Sequence, residues 1–163
     1  MGKKKTYPLL VVSTTGSINW NKEYKMYFCP EDRNMNQPFE YLGFYGDKSI
    51  RGMGKVENCI VADHVNGGLR VRKFENPVTE SQEKRVLQAF TDGKMAGHDD
   101  KYQGYKFYII DENDFTEMNF CKLSSGGLRG FQYLNLRDYF GSKRPKDDSS
   151  QAIVELLEGK TWS

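Results

Sequence analysis

The sequence predicts an α+β fold in which a mixed β-sheet or a small β-barrel carries two or three peripheral helices. Aromatic residues make up 13% of the chain, and aromatic side chains favour the pleated, half-buried surface of a sheet. Segments with strand character outnumber segments with helical periodicity. The clearest helix interrupts the series of strands instead of alternating with them, and this order favours the α+β class.

The predicted strands are short apolar or alternating segments, most of them bounded by turn residues. They cover 7–13, 24–29, the two arms of a hairpin over 40–61, and then 69–74, 105–110 and 115–123. Gly46 and Asp47 supply the turn signal inside the hairpin. Because the segments differ in sequence and show no repeat, we expect a single domain over residues 1–163.

One helix is predicted to begin after Thr79. The spacing from Thr79 to Gln82 has the pattern of a capping box, and apolar residues follow at helical intervals. A second helix is expected over 151–158, with Asp148 as its candidate N-cap. A helical turn is expected over 135–140.

Charge and cysteine content restrict the class of protein. Lys and Arg total 24 against 22 Asp and Glu, a net charge of +2, which is too small to require a polyanionic partner. Cys29, Cys59 and Cys121 show no CxxC spacing, so no disulfide framework and no metal site is predicted. No segment approaches the roughly 20 apolar residues of a membrane span. We therefore expect a soluble, cytoplasmic protein with no membrane partner.

The segment 38–61 combines stacking surface with positive charge. Tyr45 precedes the turn of the hairpin, and Lys48, Arg51 and Lys55 follow it. Flat rings beside cations are what a protein needs to hold a nucleotide or a nucleic-acid strand. This hairpin is therefore the leading candidate for a binding site.

Regular alternation would divide the second arm of this hairpin into two faces. Arg51, Met53 and Lys55 would share one face, and the other face would carry Ile50, Gly52, Gly54 and Val56. Glycines at these positions allow a backbone or a base to approach closely. An exposed sheet face with a bulge explains the same residues without any ligand.

The loop 122–130, KLSSGGLRG, is a second candidate. Its backbone amides, its hydroxyls and the Arg129 guanidinium are groups that contact phosphate oxygens. The loop lacks the GxxxxGK[ST] order of a Walker A loop, and a flexible hairpin loop has the same composition. In the binding hypothesis, Arg129 closes the site from this loop.

Two segments resemble the PUA-like superfamily, in particular its EVE and ASCH branches. One is the opening strand TYPLLVVST with the irregular segment that holds Trp20, and the other is EYLGFYGDKSIRGMGKV with its IxGxGxV strand. The resemblance implies a compact β-barrel with flanking helices that binds RNA, DNA or a modified base. It places in the base pocket Ser13, Thr14, Trp20, Tyr45 and Lys48. Pro8 stands where EVE domains usually carry an aromatic residue.

The sequence thus favours a module that binds a nucleic acid or a nucleotide and has no cofactor and no catalytic residue. Tyr45 and Trp20 are expected to stack on a base. Phosphate contacts are expected from Lys48, Arg51 and Lys55.

Two other functions are open alternatives. A metal-dependent, phosphodiester-cleaving nuclease would use His98, Asp99 and Asp100, or the hydroxyls of Ser124 and Ser125. Adjacent residues cannot easily all reach one ion, which weakens this alternative. A protein-interaction domain would dock through an apolar patch of Phe44, Tyr45 and Tyr133.

Overall fold

A computed structural model describes residues 5–33, 35, 37–65, 67–91 and 104–163, with Phe90 described by its backbone alone. Its strands are β1 (Pro8–Ser13), β2 (Met26–Pro30), β3 (Tyr41–Gly46), β4 (Ser49–Val65), β5 (Gly68–Phe74), β6 (Tyr105–Ile110), β7 (Thr116–Lys122), β8 (Phe131–Asn135) and β9 (Thr161–Trp162). Its helices are α1 (Ile18–Tyr24), α2 (Glu80–Thr91) and α3 (Ser150–Leu157), with a 3-10 helix at Leu136–Tyr139. The predicted α+β class is confirmed.

The nine strands seen in the described residues form one mixed, open sheet. Its main path runs β2-β6-β4-β3-β1-β8, while β5 and β7 also pair with β4, and β9 pairs with β7. Parallel pairing joins β1 to β3 and β7 to β9, and the remaining pairs are antiparallel. Because this path ends at β2 and β8, the predicted mixed sheet is confirmed and the sheet is not a closed barrel.

The 17-residue strand β4 organises the sheet. Its first half pairs with β3 and β7, and its second half pairs with β5 and β6. Three clusters of buried side chains pack around it. We call them the α2 cluster (including Trp20, Ile60, Val86 and Phe107), the α3 cluster (including Tyr45, Ile50, Met53, Ile153 and Trp162) and the central cluster (including Leu42, Phe44, Tyr108 and Ile110).

Local hydrogen bonds explain where α2 and α3 begin. The Gln82 amide donates to Thr79 Oγ1 at 3.1 Å, and the Thr79 amide donates to Gln82 Oε1 at 3.2 Å, so the predicted capping box is confirmed. Ser149, not Asp148, caps α3, because Ser149 Oγ accepts from the Ala152 amide at 3.2 Å. The expected N-cap was therefore wrong by one residue.

A bulge at Arg51 changes the faces of β4. Pairing with β3 passes from Ile50 to Gly52 and leaves Arg51 without a partner on that strand. Ile50 and Met53 consequently both pack into the α3 cluster. The expected regular alternation is therefore wrong in this part of the strand, because a bulge inserts one extra residue and reverses the pattern.

The described helices are too short or too polar to cross a membrane.

Candidate ligand-binding groove

The two rings that the sequence assigns to base stacking lie in the core. Trp20 and Tyr45 are each 2% exposed and belong to different clusters. Trp20 packs on Tyr24 and Phe28, with ring centroids 5.5 Å and 5.4 Å away, and Tyr45 meets Trp162 edge-on at 6.0 Å. This burial corrects the expectation that both rings face an open concavity, because large apolar rings gain most when they leave water.

The cations of the hairpin do not converge on one position. Lys48 is an exposed turn residue. Arg51 holds that turn, since its Nε donates to the Gly46 carbonyl at 3.1 Å and its Nη2 donates to the Asp47 carbonyl at 3.0 Å. Lys55 is exposed four residues further along β4, about 13 Å away at the usual rise of a strand. Arg51 therefore serves the fold of the hairpin, and the expected phosphate contacts are not gathered at one place.

The glycines of β4 face the protein's own core. A Cβ atom on Gly52 would lie 2.4 Å from Cζ of Phe115, and one on Gly54 would lie 2.4 Å from Cγ2 of Ile110. The close approach that these glycines allow is therefore made by neighbouring side chains. No base has access to this face.

The hairpin and the glycine loop 122–130 do lie at the same end of the sheet. The Ser13 amide donates to the Gly130 carbonyl at 2.9 Å, and the Lys122 amide donates to the Lys48 carbonyl at 2.9 Å. The Thr14 hydroxyl donates to a carbonyl of β3 at 3.0 Å. Ser13 and Thr14 are therefore tied into the backbone network of this end.

The ammonium group of Lys122 holds the glycine loop together. It donates to the Ser124 carbonyl at 3.4 Å and to the Gly126 carbonyl at 3.2 Å. Arg129, on the far side of the same loop, is exposed. Arg129, Ser124 and Ser125, which the sequence assigned to phosphate contacts, are thus all exposed in this loop.

A groove of about 630 Å³ lies elsewhere, on the face of β4 and β6 that points away from α2. Its floor is Cys59, Val61 and Tyr108. One wall is the segment 37–39 and the other is the segment 73–75 at the end of β5. We call it the Phe39–Phe74 groove. Its volume lies in the range typical of small-ligand sites.

Two phenylalanines, Phe39 and Phe74, are among the residues that line this groove. Phe74 is 57% exposed, which is unusual for a phenylalanine in a folded domain. Phe39 is partly buried and is fixed by Tyr108, at 5.4 Å between centroids, and by Tyr133 at 6.4 Å. The groove therefore has one supported ring, that of Phe39, and is bordered by the exposed Phe74 at the end of β5.

Positive charge lies on the rim of the groove. Lys73 is 71% exposed, with its Nζ 3.6 Å from Glu31 Oε2. Lys106 Nζ donates to the Arg33 carbonyl at 2.9 Å. Glu75 brings a negative charge to the same rim. The two ammonium groups can attract an anion bound above the apolar floor.

The floor itself carries no charge at neutral pH. Burial, together with the nearby Glu75 carboxylate, raises the pKa of the Cys59 thiol to about 12. Burial likewise raises the pKa of Tyr108. Both groups therefore stay protonated, so that the apolar floor and the cationic rim remain distinct.

Asp63 is a buried carboxylate with a structural role. It is 2% exposed and accepts from the Gly104 amide at 2.6 Å and from Arg70 Nη2 at 2.7 Å, with Arg72 Nε at 2.9 Å. Burial pushes its pKa upward, but these hydrogen bonds and charges outweigh burial and lower the pKa overall. With every contact directed to the protein itself, Asp63 ties β4 to β5 and to the start of β6.

The residues of the two alternative functions can be placed only in part. His98, Asp99 and Asp100 lie outside the described residues, and the described part of the chain has no group of three metal-capable side chains. For the docking alternative, Phe44 is fully buried and Tyr45 nearly so. These two rings therefore do not form an exposed patch, which corrects that expectation.

Comparison with known proteins gives no match to a family model, to a curated protein or to a solved structure. Membership of the PUA-like superfamily therefore stays a prediction. The side chains of the groove are the basis for assigning a ligand.

Sequence reasoning missed the groove because its residues come from four separate segments. A signal for part of it was present, since Lys106 and Tyr108 alternate on one face of β6. Lys73 and Phe74, a cation and a ring at the end of a strand, were a second signal. Nothing in the sequence indicates that Phe39 joins them.

Proposed function

We propose that this protein binds a nucleotide, free or within a nucleic acid, in the Phe39–Phe74 groove. The observation that carries the proposal is a groove lined by Phe39 and the exposed Phe74 together with Lys73 and Lys106. A base stacks on an aromatic face, and ammonium groups beside it attract phosphate. The uncharged floor suits a planar, apolar ring system.

The expected affinity for one nucleotide is modest. A stacked base contributes about 1–3 kcal/mol, and exposed cations add little in water. Micromolar binding requires about 8 kcal/mol at the standard state. A free mononucleotide should therefore bind far more weakly than micromolar.

The resemblance to the PUA-like superfamily implies the same class of ligand, and we include that relationship in the proposal. In our proposal the stacking surface is the groove, in place of the buried rings of Trp20 and Tyr45. The barrel strands that the resemblance uses correspond to β1, β3 and the first half of β4. The groove lies on the second half of β4.

The direct test measures binding of fluorescent single-stranded RNA and DNA by anisotropy, together with calorimetric titration of the common nucleoside monophosphates. Phe74→Ala should lower affinity about tenfold, because it removes the stacking face. Lys73→Ala should lower affinity by about two- to fivefold. It should also make the slope of log affinity against log salt concentration shallower, by about the amount expected for one phosphate contact.

Matched controls exist on the same surface. Leu123→Ala removes a side chain that is 73% exposed and lies outside the groove, so it matches Phe74→Ala in apolar area lost. Lys48→Ala removes an exposed lysine at the hairpin turn and matches Lys73→Ala in charge. Unchanged affinity in Phe74→Ala, or the same loss in both members of a pair, would show that the groove is not the site.

A further inference from the structure

Next to the groove, Arg33 bridges the two edge strands of the open sheet. Its Nη1 donates to the hydroxyl of Tyr27 on β2 at 3.0 Å. Its guanidinium carbon lies 5.5 Å from the ring centroid of Phe131 on β8. A cation over an aromatic face at this distance is a favourable contact. The guanidinium thus lies across the gap between the two ends of the sheet.

A third contact fixes the position of Arg33. A Cβ atom on Gly130 would lie 3.1 Å from Nη2 of Arg33, and Gly130 has a φ of 80°. Glycine here lets the end of the glycine loop come close to the guanidinium. With Tyr27, Phe131 and Gly130 around it, Arg33 is held in one orientation before any ligand arrives.

A continuous series of rings connects this position with the groove. The centroid of Phe39, in the wall of the groove, is 6.4 Å from that of Tyr133, and Tyr133 is 5.8 Å from Phe131. Phe131, Tyr133 and Arg33 are all partly exposed. Rings and cations therefore continue from the groove to the seam between β2 and β8.

Positive charge follows the same path. Lys106, on the rim of the groove, donates to the carbonyl of Arg33, so the two cationic residues are neighbours. The nearby Glu31 is already paired with Arg72 and Lys73. Its carboxylate is therefore partly neutralised by these two residues.

We propose that Arg33 and Phe131 form a second nucleotide subsite and that the ligand is a single strand covering both this subsite and the groove. This inference rests on the proposed function of the groove. A guanidinium that packs on Phe131 with one face offers its other face to a base, and its N–H groups can donate to phosphate oxygens. Two subsites along one path can bind neighbouring nucleotides of one chain, which a free nucleotide cannot exploit.

The test compares ligands of increasing length. Affinities are measured by calorimetry for a mononucleotide, a dinucleotide and a tetranucleotide of one sequence, as RNA and as DNA, at one salt concentration. We expect the tetranucleotide to bind at least about tenfold more tightly than the mononucleotide, because occupancy of a second subsite becomes intramolecular. The RNA and DNA arms show whether the 2′-hydroxyl is read.

Arg33→Lys should abolish most of this gain with length, because lysine keeps the charge and loses the planar stacking face. Its affinity for the mononucleotide should stay within about twofold of the parent protein, since the groove is unchanged. Phe131→Leu should have the same effect. It replaces Arg33→Lys in the test if circular dichroism shows that the Arg33→Lys protein does not fold. Arg51 is a partly exposed arginine at the hairpin turn and provides the control. The Arg51→Lys protein should keep the full gain in affinity with ligand length.

The outcomes separate the two proposals. Equal affinities of the mononucleotide and the tetranucleotide for the parent protein would overturn the second subsite and leave the groove in place. A gain with length that survives Arg33→Lys and Phe131→Leu, or that is lost in Arg51→Lys, would also overturn it. Absence of binding to every ligand would overturn both.

Discussion

Gly54 of β4 is packed against Ile110 of β6 so closely that a Cβ atom on the glycine would lie 2.4 Å from Ile110 Cγ2. The carbonyl of Asp114 would lie 3.1 Å from the same Cβ atom. A shift of the Ile110 side chain could relieve the first of these two contacts. The second contact is with a backbone carbonyl, which moves less easily, so the Cβ atom would still be crowded. The glycine is therefore required by packing in the core.

Gly54→Ala should lower the free energy of unfolding by about 1–3 kcal/mol, the usual cost of overpacking a core. Chemical denaturation followed by circular dichroism measures the change. Gly68→Ala is the control, because the nearest atom to its Cβ would be the Val65 carbonyl oxygen at 3.6 Å, an ordinary contact. Equal stability of the Gly54→Ala protein and its parent would contradict this packing.

Lys48→Gly should stabilise the protein. Asp47 and Lys48 have φ values of 52° and 60°, the left-handed conformation of a tight hairpin turn. A residue with a Cβ atom pays about 1 kcal/mol for this conformation, and glycine avoids that cost. A rise in Tm is the expected readout, with unchanged ligand affinity if Lys48 is a turn residue only.

Lys55→Gly is the matched control for this change, because Lys55 is an exposed lysine inside the same strand. Glycine within a strand should lower stability. A fall in Tm for both variants would mean that the turn conformation does not limit stability. Weaker nucleotide binding by the Lys48→Gly protein would instead indicate that the hairpin is part of the binding site.

The three cysteines should differ in reactivity towards iodoacetamide at pH 8. Burial raises the pKa of Cys59 to about 12, and it also raises the pKa of Cys29. At pH 8 roughly one Cys59 side chain in ten thousand is then a thiolate, the reactive form. Cys121 is exposed, so mass spectrometry should detect its alkylation first.

Unfolding in denaturant is the control for this labelling, because all three thiols should then react at similar rates. A bound nucleotide should slow the labelling of Cys59 further, since Cys59 lies in the floor of the groove. Labelling of Cys59 as fast as Cys121 in the folded protein would show that the floor is open to solvent and charged.

Asp63 should contribute to stability at neutral pH and lose that contribution in acid. Because its pKa is lowered in the folded protein, the unfolded chain takes up a proton first as the pH falls through roughly 4. Asp63→Asn should therefore lower Tm clearly at pH 7, and the difference from the parent protein should shrink below roughly pH 4. Thermal unfolding at pH 7, 5, 4 and 3 measures this profile.

Asp47→Asn provides the comparison, because the Asp47 side chain is 98% exposed. Its Tm should follow that of the parent protein across the same pH range. A constant difference between Asp63→Asn and the parent protein at all four pH values would mean that the charge of Asp63 contributes nothing to stability.

Much of the fold could be predicted because its signals are local. The strands expected over 7–13, 69–74 and 105–110 are confirmed by β1, β5 and β6, and the capping box at Thr79 marks the start of α2. These elements have short apolar or alternating runs, or a specific pair of capping side chains. Local composition decides their conformation.

Other elements depend on distant partners and could not be predicted. The helix α1 and the strands β8 and β9 have weak local signals, and β9 consists of two residues beside β7. The bulge at Arg51 reversed the expected faces of the hairpin. Tyr45 lies on β3, all of whose residues are buried, so it packs in the core where the sequence suggested a stacking surface.

The groove could not be predicted for the same reason. Phe39, Cys59, Phe74 and Lys106 belong to different segments. The pairing of β4 with both β5 and β6 brings Cys59, Phe74 and Lys106 together. Aromatic residues and cations are numerous throughout this sequence, so composition alone could not distinguish core rings from exposed ones. Pairing and burial decide that difference.

The length of β4 has a consequence for how the molecule comes apart. Since one strand supplies neighbours to both halves of the sheet, neither half can detach while the other keeps all of its hydrogen bonds. Amide protons in the middle of β4 should therefore exchange with solvent only when the whole domain unfolds. They should be the most protected amide protons of the domain. The sheet, although open at its edges, should therefore unfold as one cooperative unit.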